Sequence, residues 1–346
     1  MTVRVAIVGV WHVHAGEYVD ELLETSGVEV VGVWDSNRDA AQAFAGERGL
    51  PVLDSFEAAL GAGNGGTDGA STGGADGTSA GGADTDAIVV CSETTAHVEI
   101  ISAALRAGKH VFTEKVLTGD VDSARSLEAL AEQSGVSLFV SLQRLAEPWI
   151  YEMMDVIASG EIGQVTSSRF RYQHGGVTEG WLPEAFMNRA EAGGGSIIDL
   201  GAHGYYLSNL FHGGCPESLV ASAHSFTGAE VEDHSVVVLN YAGGVTSVLE
   251  TSLIAGPYSR WCEVYGTKGF AVVDTRDDKV YVRRLADGDS GPWTPRENGP
   301  QRASSLTRWL ASVAAGQSDP QNVTAALRLT AQVEASYASV ASGARV

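Results

Sequence analysis

Val3-Arg4-Val5-Ala6-Ile7-Val8-Gly9-Val10-Trp11-His12-Val13-His14 is the stretch whose reading decides the fold. Residues 3–8 are apolar apart from Arg4, and all but Arg4 and Ala6 are β-branched, the pattern of a strand buried in a parallel sheet. Gly9 supplies a tight turn, and the residues after it predict a helix over 15–23. A strand, a glycine turn and a helix in that order present the helix's N-terminal amides to a pyrophosphate. Trp11 and His14 stand where such a loop usually has its second and third glycines, so the flanking strand and helix carry the reading. A second strand over 28–34 ends in Asp35. That is about 20 residues past the loop, where a carboxylate accepts hydrogen bonds from an adenosine ribose and repels a 2′-phosphate. Arg38 pulls toward the phosphorylated cofactor, and Asp35 reads equally as an N-cap for a helix over 39–48.

The same alternation continues outward. A short strand is expected at 52–53, a strand at 87–91 and a helix at 97–107 closed by Gly108. A strand at 110–112, a helix at 121–134 and a strand at 136–141 follow. Repeated strand–helix–strand units make a doubly wound parallel sheet. Residues 61–86 break the pattern: Gly, Ala, Ser, Thr and Asp dominate, with no aromatic and no basic residue. Such a segment buries too little apolar surface to offset its ordering entropy and reads as a floppy acidic insertion, with a partner-binding loop as the functional alternative.

Past Arg144 the texture changes. A helix over 149–159 and a turn at 160–163 precede strands over 165–172, 218–225, 234–241, 245–251, 261–265, 270–274 and 280–285. Residues 241–245 and 266–269 read as hairpin turns. Helices over 306–314 and 323–342 close the chain. The expected architecture is an α/β domain over 1–143 and an α+β domain over 144–346, built on an open, mostly antiparallel sheet.

Composition narrows the function. The 346 residues carry 22 Lys and Arg against 43 Asp and Glu, a net charge of −21, which repels nucleic acid and anionic membranes. Hydrophobic residues at 44% and charged ones at 19% belong to a folded, water-soluble chain. No apolar run reaches the ~20 residues of a membrane helix. Cys91, Cys215 and Cys262 form neither a zinc spacing nor a disulfide framework, which points to a reducing cytoplasm.

Three segments carry candidate chemistry. His12 and His14, at i and i+2 around a helix start, are expected to diverge, and the sequence offers no third ligand, so no metal is expected. Lys115 follows a buried strand, at the sheet edge where α/β ligands bind. It could hold or deprotonate a hydroxyl, or be a surface lysine paired with Glu114. In Gly193-Gly194-Gly195-Ser196-Ile197-Ile198-Asp199-Leu200-Gly201-Ala202-His203, Ser196 reads as an N-cap after a flexible triple glycine. Asp199 and His203 then share one helix face, as an acid–base pair or as a surface ion pair. Tyr172, His174 and Trp181 lie before that helix and suit a sugar pocket or ordinary packing.

Taken in order, these segments resemble the glucose–fructose oxidoreductase / inositol dehydrogenase family, Gfo/Idh/MocA. Residues 88–97 are similar to that family's fourth strand and cofactor-contacting turn, which ends in a histidine. Residues 107–115 resemble its Glu-Lys-Pro segment, with Val116 in place of the proline. Residues 160–163, 193–203 and 263–269 match in order and spacing.

The resemblance implies a Rossmann domain, a second domain whose bare sheet face forms a homo-oligomer, and NAD as cofactor with NADP as the other candidate. It implies hydride transfer between nicotinamide and a hydroxyl or ketone of a sugar, polyol or inositol-like substrate. Lys115 would contact substrate and nicotinamide ribose, Asp199 would orient the substrate, and His203 would be the acid–base residue. Cofactor contacts fall to Gly9, Trp11, His12, Val13, Asp35, Arg38, Ser92, His97 and Glu114, and substrate contacts to Arg144, Tyr172, His174 and Trp181. Two rivals remain at this level: an enzyme that uses tightly held NAD to cleave a glycoside, and a binding protein that has lost turnover.

Overall fold

The structure, a computed structural model, describes residues 2–61, 84–288 and 291–346, which fall into two units. The first comprises Met1–Leu117, Asp122–Ser141 and Leu306–Val323. Its strands are β1 (Val3–Val8), β2 (Val28–Trp34), β3 (Ala87–Val90), β4 (His110–Thr113) and β5 (Leu138–Val140). They lie in the order β2-β1-β3-β4-β5 and pair in parallel throughout. The helices α1 (Ala15–Glu24), α2 (Arg38–Arg48), α3 (Phe56–Ala59), α4 (His97–Arg106) and α5 (Val121–Ser134) run between them. In α1, Ala15, Tyr18, Val19 and Leu22 are buried, the i, i+3, i+4, i+7 stripe of a helix lying on a sheet.

Three expectations for this unit change. The strand expected at 52–53 is only a bridge between Val33 and Val52. The N-cap of α2 is Asn37, which accepts from the Asp39 and Ala40 amides, so Asp35 is free of that duty. The first unit also does not end at residue 143. Leu306, Trp309 and Leu310 close the core formed by Val5, Ile7, Phe112 and Phe139, because those apolar faces need a cover that the first 143 residues do not supply.

Most of the expected acidic insertion, residues 62–83, lies outside the described residues. Its last three residues are described and are tied to the sheet. The Arg4 amide donates to the Asp86 carboxylate at 2.9 Å, the Arg4 guanidinium pairs with Asp84 at 2.7 Å, and Lys109 Nζ donates to the Thr85 carbonyl at 2.7 Å. Asp84, Thr85 and Asp86, expected within the floppy segment, are therefore held in place.

The second unit comprises Thr118–Val121, Leu142–Ser305 and Thr324–Val346. It holds α6 (Pro148–Ala158), α7 (Arg189–Ala192), α8 (Ser196–Asp199) and α9 (Gly201–His212). Helix α10 (Ser305–Ala314) and the start of α11 (Pro320–Ser342) belong mostly to the first unit, and the rest of α11 to the second. Its sheet comprises β6 (Val165–Gln173), β7 (Ser218–His224), β8 (His234–Asn240), β9 (Thr246–Ser252), β10 (Ser259–Gly266), β11 (Gly269–Asp274), β12 (Val280–Arg284) and β13 (Thr294–Arg296).

The strand order is β13-β12-β11-β10-β6-β9-β8-β7, and only β6 and β9 pair in parallel. The sequence reading missed β13, a three-residue edge strand with Pro295 at its centre. Proline is admitted at an edge because no ladder amide is needed there. Along β6, Ser168, Phe170 and Tyr172 are buried while Arg169 and Arg171 face out. Helices α6 and α9 pack against this sheet. On other parts of it Trp261, Glu263, Tyr265, Phe270, Tyr281 and Trp293 line a hollow of about 550 Å³. Among the described residues no helix is long and apolar enough to cross a membrane.

Candidate active site

The loop after β1 is shaped by close backbone approach. Gly9 has φ +84°, and a Cβ there would lie 2.4 Å from the Ser92 amide nitrogen, so only glycine fits. The Val10 amide donates to Asp35 Oδ2 at 2.7 Å, and the Asn37 amide to Oδ1 at 2.7 Å. Asp35 thus joins the end of β2 to the loop, with further lone pairs on both oxygens. Val13 is exposed at the start of α1, Trp11 is half-buried, and Ser92 is buried with no partner for its hydroxyl. A glycine-only turn, an open ten-residue helix N-terminus and a strand-end carboxylate fit a dinucleotide. Arg38 pairs with Asp54 at 3.2 Å on the surface.

His12 and His14 do not diverge. Their ring centroids lie 4.6 Å apart, and Glu114 joins them as the third group the sequence did not reveal, all three ligand atoms lying within 4.8 Å of one another. The contacts are those of an ion-pair network. His14 Nδ1 lies 2.9 Å from Glu114 Oε1, Tyr18 donates to the same oxygen, and the His14 amide donates to His12 Nδ1 at 3.2 Å.

Burial alone would raise Glu114, but His12, His14 and Lys115 outweigh it and hold the carboxyl well below its ordinary value. Burial lowers His14, and the Glu114 charge and hydrogen bond more than reverse this. Burial, and then Glu114, raise Tyr18 well above the usual phenol value. Glu114 is therefore an internal counter-ion, and the expected surface pair of Lys115 with Glu114 is replaced by two buried residues, 5% and 1% exposed.

His97 anchors the lysine turn through Nδ1, while its buried Nε2 has no partner among the described residues. The residue is buried, and Nδ1 lies 3.1 Å from the Val116 carbonyl and 3.2 Å from that of Leu117. Both partners are acceptors, so Nδ1 carries the proton. The Lys115–Val116 peptide is cis.

In the second unit the triple glycine is close-packed, where flexibility was expected. A Cβ on Gly194 would lie 1.9 Å from the Tyr337 hydroxyl, and one on Gly195 1.9 Å from the Glu232 carbonyl. Ser196 is the first residue of α8 and does not cap it. Glu232, from before β8, accepts from the Gly195 and Ile197 amides at 3.1 and 3.0 Å and from Tyr337 at 2.9 Å. Residue 232 lies too far along the chain for spacing to expose this.

Asp199 ends α8 half-buried, and His203 lies in α9 at 3% exposure. His203 Nδ1 is 2.9 Å from the Tyr206 hydroxyl, which also accepts from the Arg144 amide at 3.2 Å. Tyr206 was missed, although its i+3 spacing from His203 is legible. Tyr172 lies 5.6 Å from the His203 ring between centroids, and its buried hydroxyl has no partner. Burial, then the Glu147 charge, raise that phenol well above its usual value.

Arg144 donates to Glu147 at 2.8 Å. Burial would lower Arg144, but Tyr258, Glu147 and Tyr172 keep it raised. Glu147 also binds Arg260 at 2.7 Å. His174 is buried and stands 4.7 Å from the Trp181 ring, which is 51% exposed on its loop. The structure thus groups Gly9, Trp11, His12, Val13, Asp35, Ser92, Glu114 and Lys115 in the first unit. Arg144, Tyr172, His174, Trp181, Asp199 and His203 belong to the second.

Comparison with known proteins adds to this geometry. Residues 3–142 match the model of an oxidoreductase family with an NAD-binding Rossmann fold, and residues 150–272 match a GFO/IDH/MocA C-terminal domain. A 1,5-anhydro-D-fructose reductase of Ensifer adhaerens is 29% identical over 80% of this chain and 78% of its own. An inositol 2-dehydrogenase of Rhizobium meliloti is 26% identical over 84% and 80%. The crystal structure of KijD10, a 3-ketoreductase from Actinomadura kijaniata with NADP and TDP-benzene, superposes with a TM-score of 0.80 at 22% identity, over 98% of both chains.

Proposed function

The chain belongs to the Gfo/Idh/MocA oxidoreductase family, and from that premise we propose that it moves a hydride between a nicotinamide dinucleotide and a hydroxyl-bearing or ketone carbon of a sugar, polyol or inositol-like substrate. The relatives named for anhydrofructose and inositol support this substrate range. Nicotinamide, when bound, supplies the hydride acceptor or donor. Gly9, the start of α1 and Asp35 hold the dinucleotide. Asp35 and the engagement of Arg38 by Asp54 favour NAD over NADP. Lys115 and Asp199 orient the substrate hydroxyl, and His203 takes or returns its proton. Arg144, Tyr172, His174 and Trp181 line the sugar.

The observation that carries this reading is the His203–Tyr206 pair. A buried imidazole whose Nδ1 is anchored at 2.9 Å keeps a fixed orientation, which general acid–base transfer needs. A panel of polyols and sugars assayed with NAD and with NADP tests it. Once a substrate is found, folded Lys115→Ala and His203→Ala proteins should lose roughly 10²–10⁴-fold in turnover. Turnover at the parent rate by both would sink the assignment.

The exposed aromatic hollow around Trp261 and Tyr265 supports a homo-oligomer formed through this sheet. Light scattering should give a multiple of the chain mass, and Tyr265→Glu should reduce it. A cytoplasmic setting agrees with Cys91, Cys215 and Cys262 all being free thiols.

A further inference from the structure

Position 14 is where a dinucleotide loop ordinarily closes with glycine, which allows helix and strand to pack tightly. Here its imidazole fills that space. His14 immediately precedes α1, points Nδ1 at Glu114 Oε1 over 2.9 Å, and keeps 19% of its side chain exposed. It is therefore neither a packed core histidine nor a surface one. It is an ion-pair partner with one side open, at the helix end that receives pyrophosphate in a Rossmann domain. We infer that His14 is a charge partner of the dinucleotide's pyrophosphate, adding to what the backbone amides of the loop supply, and that dinucleotide binding to this chain takes up a proton.

The surroundings decide which groups titrate. On α1, Glu17 and Tyr18 face the ring; from the loop, His12; from the end of β4, Glu114 and Lys115. Glu114 is held ionised by its cationic neighbours, and burial keeps Tyr18 and, beside Glu114 at the end of β3, Cys91 neutral. Glu114 and Glu17 raise His14, whereas Lys115 and burial lower it. A pyrophosphate arriving beside this ring adds negative charge and favours the protonated form further. By linkage, affinity is greatest where His14 is charged and declines as pH rises through its pKa. His12 is the other imidazole beside Glu114, its Nδ1 3.9 Å from Oε1, and a variant at position 14 alone separates the two.

This inference rests on dinucleotide binding, and the experiment separates the two. NADH affinity is measured by fluorescence titration from pH 6 to 9 on the full chain and on His14→Asn, whose side-chain amide can still donate to Glu114 but never becomes charged. Isothermal titration in two buffers of different ionisation heat reports proton uptake directly on the parent, independently of any variant's folding. The expected result is a Kd that rises about tenfold between pH 6.5 and 9, the effect of one pKa unit of coupling. Net proton uptake should accompany parent binding, and the Kd of the variant should be nearly flat. Saturable binding with no proton uptake, or an unchanged pH dependence in His14→Asn, overturns the role of His14 while leaving dinucleotide binding intact. No saturable binding at any pH overturns both.

Discussion

Nδ1 of His97 donates to the carbonyl of Val116, 3.1 Å away, and so pins the residue that directly follows Lys115. Through this nitrogen the histidine holds the backbone of the lysine turn. His97→Leu should leave the Val116 and Leu117 carbonyls without their donor, at about 1–3 kcal/mol of stability, and lower kcat about tenfold. NADH affinity should change little. His97→Asn, which can still donate, should recover most of kcat. Fluorescence titration alongside steady-state kinetics separates this positioning role from cofactor contact.

Tyr206 bridges His203 and the Arg144 amide. Tyr206→Phe removes the hydroxyl and keeps the ring. The expected outcome is a kcat reduced about tenfold, less than the roughly 10²–10⁴-fold for His203→Ala. Equal losses in the two variants would mean that Tyr206 takes part in the proton transfer itself.

Asp35 follows β2 and accepts from two amides, that of Val10 at Oδ2 and that of Asn37 at Oδ1. Asp35→Ser should weaken NADH binding and relieve repulsion of a 2′-phosphate. The ratio of NADPH to NADH affinity should rise by about tenfold, one charge interaction's worth. Competitive titration with the two cofactors measures it.

His212 is half-buried at the end of α9, 2.8 Å from Ser168 Oγ, and burial lowers its pKa to about 4. The unfolded chain therefore binds this proton more readily than the folded one. Stability is fully present above about pH 6.5 and is lost as pH falls from there toward 4. His110, also lowered by burial, acts in the same direction. Urea midpoints at pH 7 and pH 5 should show the loss, and His212→Gln should shrink it by about 1 kcal/mol, a figure reduced for the ring's partial exposure.

The sequence already contains most of the fold, because strand and helix signals are local. The run from Val3 to Val8, the stripe along α1 and the alternation along β6 each show their period within a few residues. Lys115, Asp199 and His203 could be picked out because each sits in a short ordered motif. What escaped depends on residues far apart in the chain. Glu114 meets His14 across a sequence separation of 100, and Tyr18 meets Ser141 across 123. Glu232 caps α8 from 37 residues beyond Gly195. The triple glycine looked like slack because composition cannot show that Tyr337 and Glu232 occupy the space where its side chains would go.

The return of Leu306, Trp309 and Leu310 to the first unit has a consequence for how this protein is made. On the ribosome, β1 to β5 emerge long before the residues that cover Phe112 and Phe139. The nucleotide-binding half therefore cannot complete its core until residues 306–310 have been synthesised. Cutting the gene after the last parallel strand would yield a sheet with one aromatic face open to water. The unit that contains β1 is thus finished only after all eight strands of the other sheet have emerged.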